Sequence, residues 1–185
     1  MERAQEITGV GGIYAVLVEV SNRPRYAFLV LQLVAEIADG RGQAGPFVEQ
    51  GGLPMLLREW LCSQLLPMSE QPARRAALRA RVAAALKDER TGDAMRDAAR
   101  IEAAVEEQVQ AVGRANVSRA ISDLVRAGLM TRHYAGYATN HKNRGGGRHA
   151  VYVVKPGVLA LLRKPAPLRR HDPGAANPQG ELFAA

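Results

Sequence analysis

The chain contains 185 residues, of which 47% are apolar, and its 25 basic and 18 acidic residues give a net charge of +7. This size allows one hydrophobic core or two small ones, and the single cysteine, Cys62, excludes a disulfide within the chain and indicates a reducing compartment. The N-terminus lacks the features of a secretory signal, and the longest apolar stretch, within residues 26–35, is much shorter than the roughly 20 residues that span a bilayer, so we expect a cytoplasmic protein with no membrane partner.

Apolar residues at three- and four-residue spacings predict that the first half of the chain is mostly helical. The first clear helix covers residues 24–39, with Gly40 at its end. Before it, residues 13–20 are apolar and contain several β-branched side chains, which fits either a helix or a strand. After it, residues 40–54 contain five glycines and two prolines, a composition that predicts a loop.

Three more helices are predicted between residues 53 and 112. The first runs from about Leu53 through Leu66 and is ended by Pro67. The second covers about residues 71–89, with Ser69 as its N-cap, and the third is capped by Thr91 or Asp93 and runs toward Val112. The apolar stripes of these helices contain Leu57, Trp60, Leu61 and Leu65, then Leu78, Val82 and Leu86, and then Ile101, Val105 and Val109.

The helical first half carries more large apolar residues than one small domain is expected to cover. Leu31, Trp60, Leu61 and Leu65 are examples. We therefore expect residues 1–110 to mediate a homodimer, and we assign residues 1–95 as a helical region for dimerisation or partner binding.

Positive charge is concentrated in one third of the sequence. Residues 1–110 hold 13 basic and 15 acidic residues, whereas residues 111–170 hold 12 basic residues and a single acid, Asp123. A basic surface confined to one module is typical of proteins that neutralise a phosphate backbone. Ordinary solubility charge would instead be mixed with acids, as it is in residues 1–110. The distribution therefore favours double-stranded DNA as a partner.

Residues 114–127 form an amphipathic helix on a helical wheel. Val117, Ala120, Ile121, Leu124 and Val125 fall on one arc, and short polar residues and arginines fall on the other. Gly113 is predicted to be the N-cap after a preceding turn, and Gly128 follows the last periodic residue as a C-cap. Such a polar arc can approach base edges in the major groove. The alternative is an ordinary surface helix in which Arg119 pairs with Asp123 across one turn.

A β-hairpin is predicted to follow this helix. Residues 129–138 and 150–154 form its strands, and its loop covers about residues 139–149. The loop contains three consecutive glycines, 145–147, which can approach a phosphate ridge closely, and Lys142, Arg144 and Arg148 beside them. The alternative is a flexible hairpin tip with no partner.

The segment from about residue 97 to 154 resembles the winged helix-turn-helix domains of bacterial regulators, broadly the MarR-like and related classes. The resemblance is strongest from Val112 to Ile121 and from Arg126 to Leu129, where a recognition helix rich in small polar residues is closed by Ala-Gly-Leu. It implies a mainly α fold in which a helical N-terminal region precedes a winged helix-turn-helix with a β-hairpin wing. It also implies base or phosphate contacts on the recognition helix by Arg114, Asn116, Ser118, Arg119, Ser122 and Arg126, and wing contacts by Lys142, Arg144 and Arg148.

Other kinds of site are disfavoured by the sequence. The run Gly9-Val10-Gly11-Gly12 lacks the strand and the Gly-Lys-Ser/Thr of a phosphate loop, and the four histidines have no ligand spacing for zinc. Cys62 beside Trp60 is interpreted as core packing. No catalytic set can be identified, so we expect no enzyme activity and no cofactor.

The C-terminal residues 164–185 are predicted to be a flexible tail with one short motif. Gln179-Gly180-Glu181-Leu182-Phe183 resembles the Gln-x-x-Leu-Phe peptides by which bacterial replication and repair proteins bind the sliding clamp, with Gln179, Leu182 and Phe183 as the contact residues. Gly180 departs from the leucine more usual there. An unstructured end without a partner is the alternative.

Together these patterns predict a dimeric, nucleoid-associated transcriptional regulator that binds specific DNA sequences. Residues 1–95 would serve dimerisation, residues 96–163 would form the DNA-binding domain, and residues 164–185 the tail. A replication-, repair- or plasmid-associated DNA-binding factor is the second hypothesis, and a non-specific architectural or RNA-binding module is the third.

Overall fold

The computed structural model describes residues 7–69, 71–89, 91–135 and 149–163. Six α-helices, a single 3-10 turn and five short strands are formed within these residues. They are α1 (Gly9–Val20), α2 (Pro24–Ile37), β1 (Gln43–Ala44), β2 (Phe47–Gln50), β3 (Leu53–Leu56), α3 (Leu57–Ser69), α4 (Pro72–Ala85), the 3-10 turn (Lys87–Glu89), α5 (Ala94–Arg126), β4 (Met130–Ala135), β5 (His149–Val154) and α6 (Pro156–Arg163). The predicted mainly α class is therefore confirmed.

Helix α2 lies at the centre of the core. Its buried residues follow the spacing of one helical face, and Pro24 occupies the first turn, where its missing N–H has no helical partner to lose. The predicted helix over residues 24–39 is confirmed with a slightly earlier end. Residues 13–20, which fitted either a helix or a strand, belong to α1, and its Ile13 and Leu17 are fully buried.

The predicted loop over residues 40–54 is wrong, because the structure forms β1 there and a hairpin of β2 and β3. Gly51 and Gly52 connect the hairpin strands with φ angles of +61° and +80°, values that suit the tight turn of a two-residue loop. Gly42 has a φ of +81°, and a Cβ there would lie 2.6 Å from the carbonyl oxygen of Val154. The glycines thus allow close strand pairing where their number suggested irregular chain.

The predicted bounds of the next two helices need correction. Helix α3 begins at Leu57, after β3, and it continues through Pro67 to Ser69. Proline removes one backbone donor, and near the end of a helix this loss affects little of the hydrogen-bonded structure. Helix α4 has Gln71 as its N-cap residue, so the prediction of Ser69 as the cap is wrong. Val82 is the buried residue of α4.

Helix α5 is a single helix of 33 residues, so the predicted turn before residue 114 and the N-cap at Gly113 are wrong. Gly113 is buried where α5 crosses α3, and a Cβ there would lie 2.5 Å from Cys62 Sγ. The glycine therefore serves close helix packing. At the start of α5, Asp93 accepts hydrogen bonds from the backbone N–H groups of Met95 and Arg96 at 3.0 and 3.2 Å, which confirms one of the two predicted caps.

The predicted hairpin after α5 is confirmed over Met130–Ala135 and His149–Val154, with His149, predicted in the loop, as the first residue of β5. Strands β4 and β5 are antiparallel, with Met130 opposite Val154 and Ala135 opposite His149. Ala127 is the C-cap residue of α5, and Gly128, the predicted cap, directly follows it with a φ of +67°. The predicted loop over residues 139–149 lies outside the described residues except for His149. Strand β1 pairs with the other edge of β5, which gives a three-stranded sheet of order β1-β5-β4.

One hydrophobic cluster joins the two regions that the sequence suggested. It contains buried residues of α1, α2 and α3 together with those of the second half of α5, of the β1-β5-β4 sheet and of α6. Leu31, Leu61 and Leu65 are buried in this cluster, and Trp60 is half-buried against it. The expectation that these four residues remain uncovered in one chain is therefore wrong. Cys62 is buried, which confirms its interpretation as a core residue.

Candidate nucleic-acid interface

The second half of α5 has two distinct faces. Val117, Ala120, Ile121 and Leu124 are buried against the core, as predicted. The opposite face exposes Arg119, Ser122 and Arg126 and half-exposes Asn116 and Ser118. The Ser122 hydroxyl donates a hydrogen bond to the carbonyl of Ser118 at 2.9 Å, which holds this side chain against the helix backbone. The buried side fixes the orientation in which the polar side faces solvent.

The turn between α1 and α2 is fastened to this face by Asp123. The buried Ser21 hydroxyl donates to Asp123 Oδ2 at 2.6 Å, and it accepts a bond from the backbone N–H of Arg23 at 3.1 Å. Arg126 donates to the other carboxylate oxygen of Asp123. The sole acid of residues 111–170 is thus occupied by two partners. The predicted pair of Arg119 with Asp123 is absent, and Arg126 takes its place.

Asn116 aligns two arginines from distant parts of the sequence. Its Oδ1 accepts hydrogen bonds from the guanidinium groups of Arg23 and Arg119, both at 3.3 Å. Among the described residues, neither arginine forms an ion pair with a carboxylate. Both side chains are exposed, and no carboxylate within the described residues competes for their donors, which a phosphate or a guanine edge can accept.

These residues line an open groove with a volume of about 590 Å³. Asn22 and Tyr26 complete the wall formed by the α1–α2 turn and the start of α2. Burial raises the pKa of Tyr26, and the nearby Cys62 raises it further, so its hydroxyl stays neutral at physiological pH. The groove combines neutral donors with three arginines.

The structure separates Arg114 from the other predicted helix contacts. Arg114 is not among the residues that line the groove, and its guanidinium lies 3.7 Å from Glu59 on α3. The wing residues Lys142, Arg144 and Arg148 and the tail residues Gln179, Leu182 and Phe183 lie outside the described residues.

The structure adds Asn22 and Arg23 to the site, which the sequence analysis missed. Arg23 lies 93 positions before Asn116, its hydrogen-bond partner. The local signal is the polar run Ser21-Asn22-Arg23 between two apolar segments. That run predicts a turn, but its position beside α5 depends on how α1 and α2 pack.

The base of the hairpin presents further exposed side chains. Arg132, His133 and Tyr134 of β4 are all exposed, and the Arg132 guanidinium lies 5.7 Å from the centre of the Tyr134 ring. His149, at the start of β5, packs edge-on against Phe47 with ring centres 5.1 Å apart. These residues place aromatic and basic groups where the chain leaves the described part of the hairpin.

Cys62 lies at the contact of α3 with α5, 3.6 Å from the side-chain carbonyl oxygen of Gln110. Burial raises the pKa of its thiol, and Glu59 raises it further, so the thiol stays protonated and weakly nucleophilic near neutral pH. Within the described ranges, no cluster of three histidine, cysteine or acidic residues could hold a metal ion. No helix there is long and apolar enough to cross a membrane.

Comparison with known proteins identifies no matching family model, no matching curated protein and no matching solved structure.

Proposed function

We propose that this chain binds duplex DNA in a sequence-specific manner, with residues 114–126 of α5 in the major groove and the loop over residues 139–149 on the backbone or in the minor groove. The observation that carries the proposal is the groove along α5, where Arg23, Arg119 and Arg126 surround short polar side chains and the one acid, Asp123, is already bound. Short polar residues let a helix approach base edges, and arginines supply forked donors to guanine or phosphate.

The order of elements supports a winged-helix interpretation of this surface. A winged helix contains a helix, a short strand, two further helices and a hairpin, and the short strand pairs with the second strand of that hairpin. Here α2, β1, α3, the second half of α5, β4 and β5 follow in that order, and the sheet order is β1-β5-β4. Two insertions distinguish this chain from that order: the β2–β3 hairpin lies between β1 and α3, and α4 with the first half of α5 lies between α3 and the second half of α5.

Transcriptional regulation is the role that we propose first, because base-reading side chains are needed to locate particular promoters. Genome-wide mapping of bound sites tests the role. A few palindromes beside promoters would support regulation, enrichment at an origin would support a replication factor, and a diffuse pattern would support an architectural protein.

Two substitutions in the full chain test whether α5 contacts bases while the loop over residues 139–149 contacts phosphates. Arg119→Ala is expected to reduce discrimination between the selected site and random duplex by about 1–3 kcal/mol, because Arg119 would contact a base edge. Arg144→Ala is expected to weaken both duplexes similarly, because a phosphate contact carries no sequence information. Fluorescence anisotropy measures both, and Arg96→Ala at the far end of α5 is the matched control. Equal effects of Arg119→Ala on the two duplexes would contradict base contact.

A replication or repair role is the second candidate, and the sequence Gln179-Gly180-Glu181-Leu182-Phe183 is the observation that favours it. If this motif binds the sliding clamp, the double substitution Leu182→Ala and Phe183→Ala should abolish clamp binding and leave DNA affinity unchanged, since two apolar anchors supply most of the contact. A pull-down with a peptide of residues 171–185 provides the direct measurement. No retention of the clamp by this peptide would remove the second candidate.

A further inference from the structure

A second open groove lies beside the first on the same helix. It has a volume of about 300 Å³, and Arg23 and Asn116 line both grooves. The second groove runs between α4 and the middle of α5, where Gln108 and Val112 form part of its wall. Along α5 the two grooves together extend from Gln108 to Arg126, which corresponds to about 27 Å of helix.

The charged residues that line the second groove are all basic. Four arginines line it, Arg23, Arg74, Arg75 and Arg81, and no aspartate or glutamate does. Arg75 reaches Glu102 and Glu106 of α5 at 3.7 and 3.4 Å. In the part of the chain that the structure describes, no ion pair involves Arg74 or Arg81, and both are exposed.

The spacing within α4 explains this separation of roles. Residues 74, 78 and 81 lie on one helical face, and residues 75 and 79 lie on the neighbouring face; of these two, Arg75 also lines the groove. Arg79 is bound to Glu102 at 3.0 Å and does not line the groove. On α4, Arg75 and Arg79 therefore form ion pairs with acids of α5, whereas Arg74 and Arg81 are exposed to solvent.

The length of α5 indicates where Arg74 and Arg81 would lie on a bound duplex. A straight helix of 33 residues is about 50 Å long, whereas the major groove is about 12 Å wide and winds around the axis. When residues 114–126 lie in that groove, the earlier part of α5 must leave it and pass over a phosphate backbone. Arg74 and Arg81 line the part of the surface beside Gln108 and Val112, where this crossing would occur.

We propose that the second groove is a further DNA-contact surface, in which Arg74 and Arg81 bind backbone phosphates that flank the site occupied by the second half of α5. This rests on the proposed function and extends the footprint of the protein beyond the recognition helix and wing. The occupant is the duplex itself, because the groove is continuous with the proposed interface and its charge complements phosphate.

The salt dependence of binding tests this contact. With a random 30-bp duplex and the full chain, each lost phosphate contact lowers the slope of log K against log salt by about 0.9. The double variant Arg74→Ala and Arg81→Ala should therefore lose about 1.8 from the slope, so that raising salt from about 50 to 200 mM weakens it roughly tenfold less than the unsubstituted chain. The double variant Lys87→Ala and Arg96→Ala is the matched control, because both residues are exposed outside the groove and form no ion pair within the described ranges, so it removes the same charge and should leave the slope nearly unchanged.

The outcomes separate the two proposals. An unchanged slope in the Arg74 and Arg81 variant, while Arg119→Ala still alters base discrimination, would overturn the second groove and leave the proposed function intact. Equal slope losses in test and control variants would also overturn it, because only overall charge would then matter. Failure of the unsubstituted chain to bind duplex DNA would overturn both. Unchanged circular dichroism and melting temperature establish that the variants are folded.

Discussion

Gly113 lies where α5 crosses α3, and its missing side chain lets the two helices approach closely. A Cβ there would lie 2.5 Å from Cys62 Sγ and 3.2 Å from the Leu66 side chain. In an exposed helix, replacing glycine by alanine stabilises the helix by about 1 kcal/mol. At Gly113 the added methyl group would clash with α3, which opposes this stabilisation. The crossing also sets the direction in which the following residues of α5 present their polar face.

We expect Gly113→Ala to lower the free energy of unfolding by about 1–3 kcal/mol, because the new methyl group overpacks the crossing. Shortening the opposing residue by Cys62→Ala should make space for it. The loss in the double variant should then be smaller than the sum of the two single losses, as measured by urea denaturation. Additive losses would show that Cys62 does not limit this position.

Arg163 connects the last described helix to the C-terminal end of α2. Its guanidinium donates to the backbone carbonyl of Ala35 at 2.9 Å and to that of Ala38 at 2.5 Å, with a longer bond to Asp39 at 3.4 Å. The last carbonyls of a helix lack intrahelical donors and carry partial negative charge. A cationic donor such as arginine supplies the missing hydrogen bonds and interacts favourably with this charge. Helix α6 is thereby fastened to the central helix of the core.

Arg163→Ala should destabilise the chain by about 1–2 kcal/mol, because it removes several charge-assisted bonds from the end of α2. Arg163→Lys keeps the charge but cannot form the same forked contacts, so an intermediate loss is expected. Thermal unfolding of the two variants measures this, with Lys155→Ala as a control of equal charge change. A loss no larger than that of the control would contradict a capping role.

At the scale of the whole molecule, amphipathic elements were predictable from the sequence and close packing was not. The faces of α5 and the strands of the β4–β5 hairpin follow from local periodicity alone. By contrast, Gly113 suggested a helix boundary in the sequence, yet α5 continues through it, and the close approach of Cys62 and Leu66 explains why a residue without a side chain is present there. The groove could not be predicted as a unit, because Arg23 meets Asn116 only through the packing of α1 and α2 against α5.

The residues available for the proposed homodimer contact lie on the β2–β3 hairpin, and they differ from those that the sequence suggested. Leu31, Leu61 and Leu65 are buried within one chain, whereas the β2–β3 hairpin exposes Leu53 by 73% and Met55 by 37%, and its register places these two side chains on the same face. Exposed apolar residues grouped on one hairpin are typical of a contact surface. A dimer through this hairpin would present two copies of α5 to two half-sites, which specific binding of a palindrome requires.

Leu53→Lys should convert the dimer to a monomer at micromolar concentration, because burying an unpaired ammonium group in an apolar contact is strongly unfavourable. The variant should keep the circular dichroism spectrum of the folded chain, since the exposed Leu53 contributes little to the core. Met95→Lys provides the matched control, because Met95 is also exposed but lies at the start of α5. Sedimentation velocity measures the mass of each variant. Binding to whole and half palindromes then measures the effect on DNA recognition, because a monomer should bind the whole palindrome no more tightly than a half-site. If the unsubstituted chain already sediments as a monomer, or if the two lysine variants behave alike, the hairpin is not the dimer contact.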